Sequence, residues 1–156
     1  MRTNHSALRH HLALAAALCG IVAGCGGGDA VGPDAALAIL VGDWQADRFV
    51  VTNKANANQA PELIHDLGAQ FSLNVQPSGQ YTAILAYQGT PITEIGTLEI
   101  VQGDVVFHVS YPAVETSRSR YTIANARLTL DGDTEFDFNA DGKGDAALAH
   151  IELKKR

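Results

Sequence analysis

Nine residues near the C-terminal end hold the densest chemistry in the chain. Asp137-Phe138-Asn139-Ala140-Asp141-Gly142-Lys143-Gly144-Asp145 sets side-chain oxygens at Asp137, Asn139 and Asp141, a glycine at Gly142 and a further carboxylate at Asp145. Oxygens at alternate positions can curl around one hard cation, and the glycine permits the sharp turn that gathers them. Calcium takes about six to eight oxygens, so the Lys143 carbonyl would add a ligand while its side chain points to solvent. The pattern reads as a structural Ca2+ site of Asp137, Asn139, Asp141, Lys143 and Asp145, pinning the last hairpin. The same residue types also make an ordinary polar turn without metal, and both readings stay open.

Catalytic constellations are harder to find. Beyond the first two dozen residues only His65, His108 and His150 occur, far apart and without paired metal-ligand spacing. His108 alternates with Phe107 and Val109, and His150 with Ala149 and Ile151, which turns both imidazoles away from the apolar side. No nucleophile elbow, phosphate loop or dinucleotide fingerprint is present. Asp43 with Asp47, and Asp131 with Asp133, read as turn and solvent-face carboxylates. Ser117-Arg118-Ser119-Arg120 could grip an anion at a rim, but a solvated strand edge accounts for it equally well. The expectation is therefore a protein that is not an enzyme.

The elements that would position these groups are short strands. Past Leu37, segments of five to ten residues alternate apolar and polar between Gly, Asn, Asp or Pro. Phe71, Leu73 and Val75 alternate with polar neighbours, as do Tyr81, Ala83, Leu85 and Tyr87 after the Pro77-Ser78-Gly79 turn. Gly42 to Thr52, Leu98 to Ile100, Val105 to Ser110, Arg120 to Ala124, Arg127 to Leu130, Thr134 to Phe138 and Ala146 to Leu153 complete the series. In the first of these Trp44, Ala46 and Val50 share a face, although Arg48 falls in their row. This periodicity predicts an all-β fold, an antiparallel up-and-down β-barrel of 8–10 strands, with a β-sandwich as the alternative. One short helix is expected over Ala60–Gly68, where proline stands near a start and glycine after an end. It would be either a lid over a barrel end or a connector packing Leu63, Ile64 and Leu67.

Composition bounds the partners. The 156 residues suit one domain. After Cys25 the chain carries nine basic and seventeen acidic residues, a net charge of −8, which repels phosphate and excludes nucleic acid. Both cysteines, Cys19 and Cys25, precede the strand region, so no disulfide or thiol chemistry is available within it. Arg2 and Arg9 precede the apolar run Leu12 to Val22, whose eleven residues fall short of the roughly 20 needed to span a bilayer.

That run ends in Val22-Ala23-Gly24-Cys25, which resembles the bacterial lipobox. The resemblance implies a signal peptide over 1–24, acylation of Cys25, a flexible tether over 25–36 and a domain over 37–156. It implies a cell-envelope location on a lipid anchor in the membrane. Gly26, rather than aspartate, after the cysteine points to the outer membrane. Leu40-Val41-Gly42-Asp43-Trp44 resembles the Gly-x-Trp opening of lipocalin-like domains, with Lys154, Lys155 or Arg156 placed to pack across the indole. The Asp137 loop is similar to EF-hand and, more closely, FG-GAP calcium loops, although Leu148 stands where an EF-hand has glutamate.

The resemblance implies binding or carriage of a small apolar ligand by a monomeric barrel. Trp44, Phe71, Leu73, Tyr81, Leu85, Phe107 and Phe136 are the candidate cavity residues. The competing expectation is a side-chain-filled barrel serving as a structural or protein-interaction module. An open interior of several hundred Å³ lined by Phe71, Leu85, Phe107 and Phe136 would favour the ligand.

Overall fold

The structure, a computed structural model, describes residues 35–156. The lipobox, Cys25 and the segment before it lie outside the described residues. A single helical turn, α1 (Ala35–Ala38), precedes eight strands: β1 (Gly42–Asn53), β2 (Gln70–Val75), β3 (Gln80–Tyr87), β4 (Thr90–Val101), β5 (Asp104–Tyr111), β6 (Glu115–Ala124), β7 (Arg127–Phe136) and β8 (Asp145–Lys155). Each strand pairs antiparallel with the next, and β8 returns to β1 from Trp44↔Lys155 to Asn53↔Ala147. The up-and-down barrel expected from the alternation is thus closed, each strand pairing with a neighbour on both sides over at least part of its length. The sandwich alternative is excluded.

Strict alternation along β1 would carry Arg48 into the core. A register shift between Ala46 and Arg48 prevents this. One extra residue, Asp47, changes the phase of the strand. Trp44 and Ala46 face inward before it, Phe49 and Val51 after it, and Arg48 emerges to pair with Glu152 at 2.9 Å. The expected Trp44–Ala46–Val50 face is corrected accordingly, with Phe49 and Val51 in place of Val50.

The stretch read as a break at Asp131-Gly132-Asp133 is strand. Arg127 to Leu130 and Thr134 to Phe136 belong to one strand that runs through Asp131-Gly132-Asp133. Gly132 is required there because a Cβ would meet Ser119 Oγ at 2.5 Å and the Arg118 carbonyl at 3.1 Å. Ser117 to Arg120, read as a surface patch, lies within β6.

The helix expected over Ala60–Gly68 is not formed. The segment instead runs along the exposed edge of β1. Gln59 and Pro61 carbonyls accept from the Asn53 and Val51 N–H groups (2.9 and 3.1 Å), and the Leu63 N–H donates to the Phe49 carbonyl (2.7 Å). Glu62 takes the Phe49 and His65 N–H groups on its two carboxylate oxygens. Leu63 is buried against Phe49, Val51, Ala69 and Ala147, Ile64 is partly buried, and Leu67 is exposed. Pairing the main chain of an otherwise open β1 edge outweighs a two-turn helix, whose own nucleation is costly.

The core has two parts. Where β1 begins, Trp44, Leu98, Val105, Leu128 and Leu153 pack with Leu37 and Leu40 from the N-terminal turn. The Trp44 indole N–H donates to the Leu40 carbonyl at 2.7 Å, and Lys155 Nζ lies 5.3 Å from the ring centroid. Lys155 is therefore the basic residue over the indole among the three expected there. Where β1 ends, Phe49, Val51, Leu63, Ala69 and Ala147 form the second cluster.

Candidate functional site

The strand registers leave one seam open. β6 pairs with β7 only from Ser119↔Gly132 to Ala124↔Arg127. Beyond it, β7 continues from Asp133 to Phe136 beside β8 alone. The first part of β6, Glu115 to Arg118, stays with β5. The matching divergence between β1 and β2 is covered by the Gln59–Leu63 connector. Among the described residues no main-chain hydrogen bond crosses the β6–β7 divergence.

A cavity of about 170 Å³ lies inside the barrel behind this seam. Its apolar wall is Phe49, Phe71, Leu73, Leu130, Ala149 and Ile151, from β1, β2, β7 and β8. Facing it, β3 to β6 contribute Tyr81, Glu94, Phe107, Ser117 and Ser119. Gly132 and Asp133 stand at the seam and also line a larger outer groove, of about 500 Å³, with Arg118, Arg120, Asp131 and His150. The cavity therefore opens sideways through the wall. The other half of the barrel is filled: between Leu40, Val75, Leu98, Val105 and Leu128 there is no room for a water-sized sphere.

Of the seven residues expected around a cavity, the fold brings Phe71, Leu73, Tyr81 and Phe107 together on it. Trp44 is instead fully packed in the filled half. Leu85 and Phe136 lie at the far mouth with Tyr87 and Phe138, against the Phe49–Leu63 cluster. Edge-on ring pairs, Tyr81–Phe107 at 5.1 Å and Phe49–Phe71 at 5.6 Å, brace the walls.

Of the polar groups, Tyr81 was expected on the cavity and Ser117 and Ser119 in a basic rim patch, whereas Glu94 was not anticipated. The Tyr81 hydroxyl donates to Glu94 Oε1 at 2.5 Å. Burial, then that carboxylate, pushes the Tyr81 ionisation upward, so the hydroxyl keeps its proton and stays a donor. Glu94 shares its parity with Gly96, Leu98 and Ile100, and Ser117 and Ser119 share theirs with Tyr121 and Ile123. That period-two relation is the signal that could have turned all three residues to the cavity side, where Glu94 and Ser119 are half-buried and Ser117 is exposed at the seam.

The histidines face outward on different elements. His108 lies 3.0 Å from Glu99, and His65 is exposed on the connector. His150 sits 2.7 Å from Asp131 and 3.3 Å from Glu152 on the outer groove. The Asp131 hydrogen bond, with help from Glu152, raises its pKa above the ordinary value. Asp47 pairs with Lys154 and Arg127, and Asp133 with Lys54.

The Asp137–Asp145 loop joins β7 to β8. Asp137 accepts the Asp141 and Gly142 N–H groups at 3.1 and 2.8 Å, Asn139 accepts Asp141 at 3.0 Å, and Asp141 accepts Lys143 at 2.9 Å. The Gly142 N–H, above all, holds the Asp137 carboxyl below the usual range. Ala140 and Gly142 take φ values of 58° and 83°. Among the described residues, no three His, Cys, Asp or Glu side chains gather as a metal site.

No protein-family model matches the chain, and no curated protein does. A solved structure described as EF1p2_mFAP2b bound to DFHBI is similar at 16% identity and a TM-score of 0.48, over 76% of this chain and 95% of that one.

Proposed function

We propose that this protein is a small-molecule binding protein of the cell envelope, held on the membrane by an acylated Cys25 and taking its ligand through the β6–β7 seam. The observation that carries the binding reading is the uneven interior. A side-chain-filled module would be packed throughout, yet packing is complete only in the Trp44 half. The half behind the seam keeps about 170 Å³ between aromatic walls. That is smaller than the roughly 300–1,000 Å³ of drug-sized sites, and comparable to a cavity of about 150 Å³ that binds benzene. The ligand is accordingly limited to a single ring or short chain, not the larger cargo that an interior of several hundred Å³ would take.

The test uses the full chain carrying Cys25→Ser, so that no acyl chain competes for the interior. Toluene, titrated and followed by NMR, is expected to shift Phe71 and Phe107. Ala83 of β3 also lines the cavity, and Ala83→Leu, which fills it, is expected to remove those shifts while the protein stays folded. No shift with toluene, or shifts indifferent to Ala83→Leu, would refute a binding interior. The anchor is tested separately, by incorporation of labelled palmitate that Cys25→Ser abolishes.

Calcium binding by the Asp137 loop is a further part of the proposal. It is supported by the main-chain bonds that wrap Asp137, Asn139 and Asp141 around one turn.

A further inference from the structure

We infer that the cavity is selective for a small apolar molecule bearing one protonated amine, recognised by Glu94 with Ser117 and Ser119. This rests on the binding reading above and names the ligand's chemistry. The interior is uneven: β8, β1 and β2, with Leu130 of β7, present hydrocarbon, whereas β3 to β6 present Tyr81, Glu94, Ser117 and Ser119 around Ala83 and Phe107, and Asp133 and Thr134 of β7 line the seam. A ligand that satisfies both walls has an apolar body and a polar head.

The sign of that head follows from the lining. Among the described residues, no lysine, arginine or histidine lines the cavity. Arg118 and Arg120 alternate with the two serines on β6 and face the outer groove, where Arg118 is engaged with Asp104 at 3.4 Å. Glu94 takes one hydrogen bond on Oε1, from a tyrosine that keeps its proton, so its charge is oriented and not neutralised. Its second oxygen, and the Ser117 and Ser119 hydroxyls, make no hydrogen bond among the described residues. An ammonium group has three N–H donors, and these three acceptors match it in number. Glu115 also contributes to the negative potential that disfavours the Tyr81 anion. A carboxylate head could accept from the serine hydroxyls but would face the like charge of Glu94.

The energetics favour the cation as well. Glu94 is half-buried in the empty barrel and already bears part of its desolvation cost. A hydrogen bond between opposite charges is roughly twice as strong as a neutral one. The open seam leaves the head group in contact with water, so the ammonium is not stripped completely.

The experiment compares benzylamine, toluene and benzoate on the full chain carrying Cys25→Ser, with and without Glu94→Gln. Benzylamine is expected to bind at least about tenfold tighter than toluene, the scale of one charge-assisted hydrogen bond, and benzoate weaker than both. Glu94→Gln is expected to bring benzylamine close to toluene, and its urea midpoint reports that the variant is folded. Should Glu94→Gln not fold, Ser117→Ala with Ser119→Ala is expected to weaken benzylamine selectively.

Equal binding of benzylamine and toluene, or a preference that survives the variants, would overturn amine recognition and leave the binding cavity standing. Tighter benzoate would overturn it in the opposite sense. Failure of toluene itself would bring down both.

Discussion

Trp44 shows how one side chain closes a barrel end. Its ring is buried, its N–H is satisfied by Leu40, and Lys155 covers the remaining face. Trp44→Ala should cost about 3–5 kcal/mol by urea denaturation. Lys155→Ala should cost only about 0.5–1 kcal/mol, the scale of an exposed cation–π contact. At His150 the prediction concerns pH. Its folded pKa lies above the unfolded value of about 6.5 because Asp131 and Glu152 stabilise the imidazolium. The stabilisation is therefore complete below that unfolded value and is lost as pH rises through the folded one. The melting temperature of the wild type minus that of His150→Gln should shrink as pH rises from below about 6.5 through the higher folded value, and a constant gap would refute the linkage. In the last hairpin, calcium should raise the thermal midpoint and Asp141→Ala should abolish the rise. An unchanged midpoint in chelator would remove the metal from the account.

The strands were readable in the alternation because each of Phe71–Val75 and Tyr81–Tyr87 keeps one face apolar without interruption. Where an element departs from that rhythm, the cause lies on a neighbouring strand. The Asp47 bulge answers to Glu152 across the sheet, and Asp131-Gly132-Asp133 is strand because Ser119 and Arg118 need a glycine opposite. The connector between β1 and β2 looks helical locally but answers to the unpaired edge of β1. Leu63→Ala should accordingly cost about 2–5 kcal/mol, and Leu67→Ala, at an exposed position, within about 0.5 kcal/mol. A helical connector packing both residues would give two comparable losses. Gly96 is a stricter constraint, since a Cβ there would lie 2.1 Å from the His108 carbonyl oxygen. Gly96→Ala should force β4 from β5 and cost at least roughly 1–3 kcal/mol in equilibrium unfolding.

Taken whole, the molecule is a barrel packed tightly at one end and parted along one side at the other. The closed all-β form could be read from the chain, and so could four of the cavity residues. The hollow itself could not, because its volume is set by side chains from eight strands and no local window contains it. Glu94, Ser117 and Ser119 were hidden by a related effect. Their polarity marks them as surface, and only the parity of their strands turns them inward. The parted seam should also show in hydrogen exchange, with Glu115–Arg118 amides less protected than the Ser119–Ala124 stretch that β7 covers. The most direct measurement is diffraction from crystals held under xenon pressure. One xenon site should appear among Phe71, Phe107 and Leu130, with none between Trp44 and Leu128. An interior without xenon, or with xenon at the Trp44 end, would contradict the hollow on which the binding function depends.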